Sequence, residues 1–161
     1  MRGNQKGITL ISLAITIAVI LILAAIGVTA AMSIINTGRF QELATNMNLI
    51  RARAKVDIFK YNSDNTSIDL VGTKADSNTI ADIQNIAGGT ITDANLVYKL
   101  DQEDLNEIGV KNFRLKSGEY IAVDYADEDV EIYYLPRGFE YNNRAYYKLS
   151  EILQIDINEE I

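Results

Sequence analysis

The sequence predicts an α+β protein with a long N-terminal helix, whose apolar first half protrudes and whose amphipathic second half packs on a small antiparallel sheet. Three observations predict it. Residues 8–38, about 31 in a row, carry no charge, which exceeds the roughly 20 residues that cross a bilayer as a helix. Apolar residues then recur at steps of three and four up to Lys60, the period of one helix face. The last third holds short runs rich in Tyr, Ile and Val, separated by Gly, Asn and Pro, the pattern of strands and turns.

Composition excludes several function classes. The chain has 161 residues, a net charge of -7, and no His, Cys or Trp, so His-based triads, thiol nucleophiles, thiolate zinc sites and disulfides are ruled out. A chain this acidic is not predicted to bind nucleic acid, and no cofactor is expected.

The helix begins after a short basic stretch containing Arg2 and Lys6. As a helix, the uncharged run would be about 46 Å long, against about 30 Å for the hydrocarbon core of a membrane. It is also too long for a signal-peptide core, and no small-x-small cleavage site closes it. With no proline in the run, Gly27 is the weak point for bending, or else a small contact point between helices. Beyond Gly38, the stripe Phe40, Leu43, Met47, Ile50, Ala54 and Ile58 alternates with Arg39, Gln41, Glu42, Asn46, Arg51 and Lys55. One continuous helix over 8–60 is expected if Gly38 does not break it. Basic residues flank the run on both sides, so charge does not set its orientation in a membrane.

Next, "YNSDNTS" reads as a loop, and "SNTIADIQNI" as a short helix before Gly88 and Gly89. "DQEDLNEIG" reads as a helix capped by Asp101 and stopped by Gly109. "FRLKSGEYIAVDY" is expected to form two strands joined at Ser117 and Gly118, "VEIYYL" a further strand, and "FEYNNRAYYKL" a hairpin over Asn142 and Asn143. Together these predict four or five antiparallel strands, their inner face covered by the helix stripe.

The start "KGITLISL" resembles the processing site of type IV prepilins and pseudopilins: a basic leader ending in Gly, then an apolar residue, Thr, Leu and Ile, opening a long apolar helix. The resemblance implies a pilin-like fold and three segments: a leader over 1–7, a long helix over 8–60 and a globular head over 61–161. Residues 8–35 would be first a membrane span and later a filament core. A prepilin peptidase would cut between Gly7 and Ile8 and methylate Ile8, with Arg2 and Lys6 as the basic leader residues. Other pilin-like subunits, contacted through the helix, and the pilus or secretion assembly machinery would be the partners. The implied place is the bacterial cytoplasmic membrane, single-pass with the head outside, and afterwards a surface or envelope filament. This implies a structural subunit of a pilus, competence pseudopilus or type II secretion-like filament, and not an enzyme. The alternative class is a single-pass anchored binding protein that never polymerises.

Ser12 departs from the family pattern, in which Glu usually stands at this position and pairs with a neighbour's amino terminus. A hydroxyl is a weaker partner for an ammonium group than a carboxylate, which favours a minor or tip subunit. Equally, Ser12 and Thr16 can be small polar residues that bond back to helix carbonyls.

Three further groups are weighed. Asp124, Asp127, Glu128, Asp129 and Glu131 lack EF-hand spacing, so a solvated turn is favoured over calcium. The tyrosines at 120, 125, 133, 134, 141, 146 and 147 are read as strand residues before an adhesive surface. Arg51, Arg53 and Lys55 are expected on a solvated helix face or paired with neighbouring subunits.

Overall fold

In the computed structural model, residues 5–63, 70–126 and 129–155 are described, with side chains left out at 5–10 and 26–33. The chain divides into two compact units, Met1–Gly38 and Arg39–Ile161. The long helix α1 (Gln5–Ser63) is unbroken at Gly27 and Gly38 and ends three residues beyond Lys60. An α+β fold with a long N-terminal helix and a small antiparallel sheet is therefore present.

In the second unit, the stripe of α1 behaves as its spacing dictates. Phe40, Leu43, Met47, Ile50 and Ala54 are buried and Ile58 is half-buried. They pack against a four-stranded antiparallel sheet of β1 (Thr73–Lys74), β2 (Val97–Leu100), β3 (Tyr120–Asp124) and β4 (Glu131–Leu135), in that order. Phe40 also meets the hairpin of β5 (Phe139–Tyr141) and β6 (Arg144–Tyr146), stacking on Tyr141 with ring centroids 4.4 Å apart.

Both faces of the sheet are covered, which the sequence reading did not anticipate. On β3 and β4 the residues alternate between two cores: Ile121, Val123, Ile132 and Tyr134 face α1, while Tyr120, Ala122, Tyr133 and Leu135 join Ile83 and Ala87 on the other side. Ile83 belongs to α2 (Ser77–Asn85). A strand buried on both faces reads as a continuous apolar run, as "YIAV" does.

Local chemistry places the remaining elements. Asp101 accepts hydrogen bonds from the amides of Glu103 and Asp104, while Asp104 accepts the Asp101 amide, forming a capping box at the start of α3 (Gln102–Glu107). Gly109 follows the helix at φ +90°, as expected of a helix-stopping glycine. Asn142 and Asn143 take φ of 49° and 60° and turn the β5–β6 hairpin, again as expected. The hairpin joins the sheet where the Tyr134 amide donates to the Tyr147 carbonyl (2.8 Å), and α4 (Leu149–Ile152) follows it.

Three expectations need correction. The segment 113–116 is not a strand, although the turn at Ser117 and Gly118 stands: Gln102 takes its backbone, donating to the Phe113 carbonyl (3.0 Å) and accepting the Leu115 amide (2.8 Å). The strands β1 and β2 were missed, because "VYKL" and "TK" are too short to announce themselves by alternation. Asn46, assigned to the polar helix face, is buried, and its side-chain Nδ2 has no hydrogen-bond partner among the described residues.

The stripe's weight can be measured by contrast along α1. Leu43→Ala is expected to lower unfolding stability by about 2–5 kcal/mol, and Leu49→Ala, at an exposed position, by no more than about 0.5 kcal/mol. Urea unfolding of the two variants checks this.

Candidate functional site

The apolar surface of α1 is the feature that the fold leaves without a purpose of its own. In the first unit every described side chain from 11 to 25 is exposed, including Ile11, Ile20, Leu21 and Leu23, each more than 60% accessible. Contiguous apolar surface on this scale marks a region that meets lipid or protein. Among the described residues no helix is long and apolar enough to cross a membrane, and the uninterrupted described stretch of the run is 11–25.

The expected processing residues lie at the start of this helix. Gly7 and Ile8 are within α1, and only the backbone of residues 5–10 is described. Lys6 is part of the same turn, whereas Arg2 lies outside the described residues. Ser12 is exposed. One turn on, the Thr16 hydroxyl donates to the Leu13 carbonyl (2.8 Å), the back-bonding expected of Thr in an apolar helix.

In the second unit α1 has an outer face that the single-stripe reading passed over. Leu49, Val56 and Phe59 are exposed, Phe59 by 72%, and Ala52 lies exposed between them. Their spacing of seven and three places them on one side of a helix. In the sequence these apolar residues stand among the polar ones that the stripe reading assigned to water, and only the side of α1 that the sheet takes decides their exposure.

The charges nearby are held within the chain. Arg51 donates to Asn48 (2.9 Å) and Arg53 pairs with the buried Asp57 (3.1 Å). Lys55 pairs with Asp129 (2.9 Å), an exposed contact between α1 and the turn before β4. Lys55, by its hydrogen bond and then its charge, holds the Asp129 carboxyl below the usual carboxylate range. For a lowered carboxyl, the contribution to stability is present above its ordinary value and is lost as pH falls through the lowered one. Solvent screening keeps so exposed a pair weak.

The described acidic residues of the group make hydrogen bonds within the chain. Asp124 ends β3 and accepts the Ala126 amide (3.0 Å), and Glu131 accepts the amides of Ile132 and Ser150, both at 3.1 Å. Asp127 and Glu128 lie outside the described residues. Among those described, no three potential ligands gather.

The tyrosines belong to the cores rather than to an adhesive surface. Tyr120, Tyr125, Tyr133, Tyr134, Tyr141 and Tyr146 are buried and Tyr147 is half-buried. Two of them keep their hydroxyls satisfied by carboxylates at 2.6 Å, Tyr120 by Asp82 and Tyr134 by Glu119. Burial first, and these carboxylates second, raise both phenols well above their ordinary range, so both stay neutral.

Comparison with protein-family models, curated proteins and solved structures finds no match for this chain.

Lys55→Gln removes the cation beside Asp129. The Asp129 carboxyl is then expected to titrate at higher pH than in the parent chain, read by carboxyl carbon chemical shifts, with little change in thermal stability.

Proposed function

We propose that this chain is a prepilin-like structural subunit, cut between Gly7 and Ile8, methylated at Ile8, and assembled through α1 into a pilus, a competence pseudopilus or a type II secretion-like filament. The observation that carries the reading is the juxtaposition of "KGITLISL" with an uncharged run of about 31 residues, longer than the roughly 20 that a span needs. The exposure of the described apolar residues 11–25 supports it, as does the architecture of a long N-terminal helix with a small antiparallel sheet. The mechanism is a change of apolar surroundings. Lipid holds the helix before assembly, and neighbouring helices hold it afterwards. Because lipid tails are as apolar as a partner helix, area burial alone supplies little driving force, and packing and assembly machinery supply the rest. The outer face at Leu49, Ala52, Val56 and Phe59 gives neighbouring subunits a second apolar surface to pack on.

The native amino terminus decides between this reading and a permanent anchor. Mass spectrometry of protein recovered from its own cell is expected to find N-methylated Ile8 as the first residue. Retention of residues 1–7 would instead make the chain a single-span anchored binding protein.

Ser12 determines what kind of subunit this is. After the cut it would be the fifth residue, where a carboxylate normally balances a neighbour's buried ammonium group, whose burial unpaired costs several kcal/mol. A subunit without that carboxylate fits a minor or tip position better than a repeating one. Ser12→Glu is expected to increase incorporation along the filament shaft, counted by immunogold labelling. Unchanged labelling would remove the basis for the minor-subunit assignment.

A further inference from the structure

A cleft of about 220 Å³ opens beside α3, lined by Gln102, Asn106, Lys111, Arg114 and Leu115. We propose that it binds a small oxyanion, a carboxylate or phosphate group carried on a molecule of about monosaccharide size. The hydrogen bonds already made along its wall decide what the cleft can offer a ligand.

Gln102 is committed to the wall. Its oxygen accepts the Leu115 amide (2.8 Å), and its Nε2 donates to the Phe113 carbonyl (3.0 Å) and to Asn106 Oδ1 (3.4 Å). These bonds fix the segment carrying Arg114 against α3 and use one lone pair on each of the two amide oxygens. The exposed side chains of the lining then offer mainly donors: the Asn106 Nδ2, the Lys111 ammonium and the Arg114 guanidinium. Among the described residues no carboxylate lines the cleft. Among the described residues neither Lys111 nor Arg114 takes part in an ion pair. In a chain of net charge -7, two cations and a side-chain amide donor with no carboxylate among the described lining residues favour an anion over a cation. Charge-assisted bonds from a guanidinium and an ammonium are the stronger kind, and the guanidinium can grip two oxygens at once. The volume falls below the usual 300–1,000 Å³ of drug-sized pockets, which limits the occupant to one anionic group with a small carrier.

The test is a titration of the full chain in zwitterionic detergent micelles, followed by amide and side-chain NMR resonances, with inorganic phosphate and glucuronate as separate probes and chloride at matched ionic strength as reference. One or both probes are expected to shift the Arg114 Nε–H and Asn106 Nδ2 resonances saturably, with a dissociation constant on the order of 1 mM. Lys111→Ala and Arg114→Ala are each expected to weaken binding roughly tenfold, and Arg114→Lys to retain part of it. Spectral overlay establishes that the variants keep the parent fold. A response to phosphate alone assigns the site to phosphate groups, and one to glucuronate alone to carboxylates. The proposal is overturned if neither probe shifts these resonances beyond chloride, or if the shifts persist in the doubly substituted chain.

Discussion

The globular unit depends on one line of contact, the row Phe40, Leu43, Met47, Ile50 and Ala54 on α1. Everything that has to be buried on that side closes against it: alternate residues of β3 and β4, the hairpin through Tyr141 and Tyr146, Leu105 of α3, and Leu149 and Ile152 of α4. A small sheet with one bare face would lack a sufficient core, so the helix stripe is a requirement of the fold rather than an addition to it. The aromatic contacts of Phe40 with Phe139, Tyr141 and Tyr146 add a geometric constraint to the area burial. Offset and edge-on rings hold the hairpin at one place along the helix.

That dependence explains which parts of the structure were legible in the sequence. A stripe repeated over five turns of helix is a long signal, and it survived intact. So did features determined by local chemistry, such as the Asp101 cap, the Gly109 stop and the Asn142–Asn143 turn, because each is satisfied within a few residues. The strands β1 and β2 were hidden by their shortness. The segment 113–116 was misread for a different reason. Its alternation suits a strand, but its Phe113 carbonyl and Leu115 amide are taken by the side chain of Gln102, a competitor that no periodicity announces. Asn46 was lost for a related reason: it is polar by type and buried by the company it keeps.

The second face of the sheet carries a related lesson. Reading β3 as half-buried leads one to expect polar residues at every other position, yet "YIAVD" offers none until its end. Covering that face is the task of α2, which brings Ile83 and Ala87 to Tyr120, Ala122, Tyr133 and Leu135. The Tyr120 hydroxyl reaches Asp82 on the same helix, so an apolar interface is pinned by one polar contact at its edge. Sequence reasoning found α2 but assigned it no work, because the need for a second cover is visible only in the apolar density of the strand.

The candidate site divides along the same physical line. The resemblance of "KGITLISL" to a processing site is a matter of identity at a few positions, so it rests on the sequence without any fold. The exposed residues Leu49, Val56 and Phe59 were not, because exposure is decided by which side of α1 the sheet takes. Once Phe40, Leu43, Met47, Ile50 and Ala54 are committed inward, an apolar residue on the opposite side has only solvent or another molecule to meet. Three such residues on one side of one helix are hard to account for by the folding of the monomer. In the assembled state proposed for this protein they acquire a reason: the face that folding rejects is the face on which a neighbour can close.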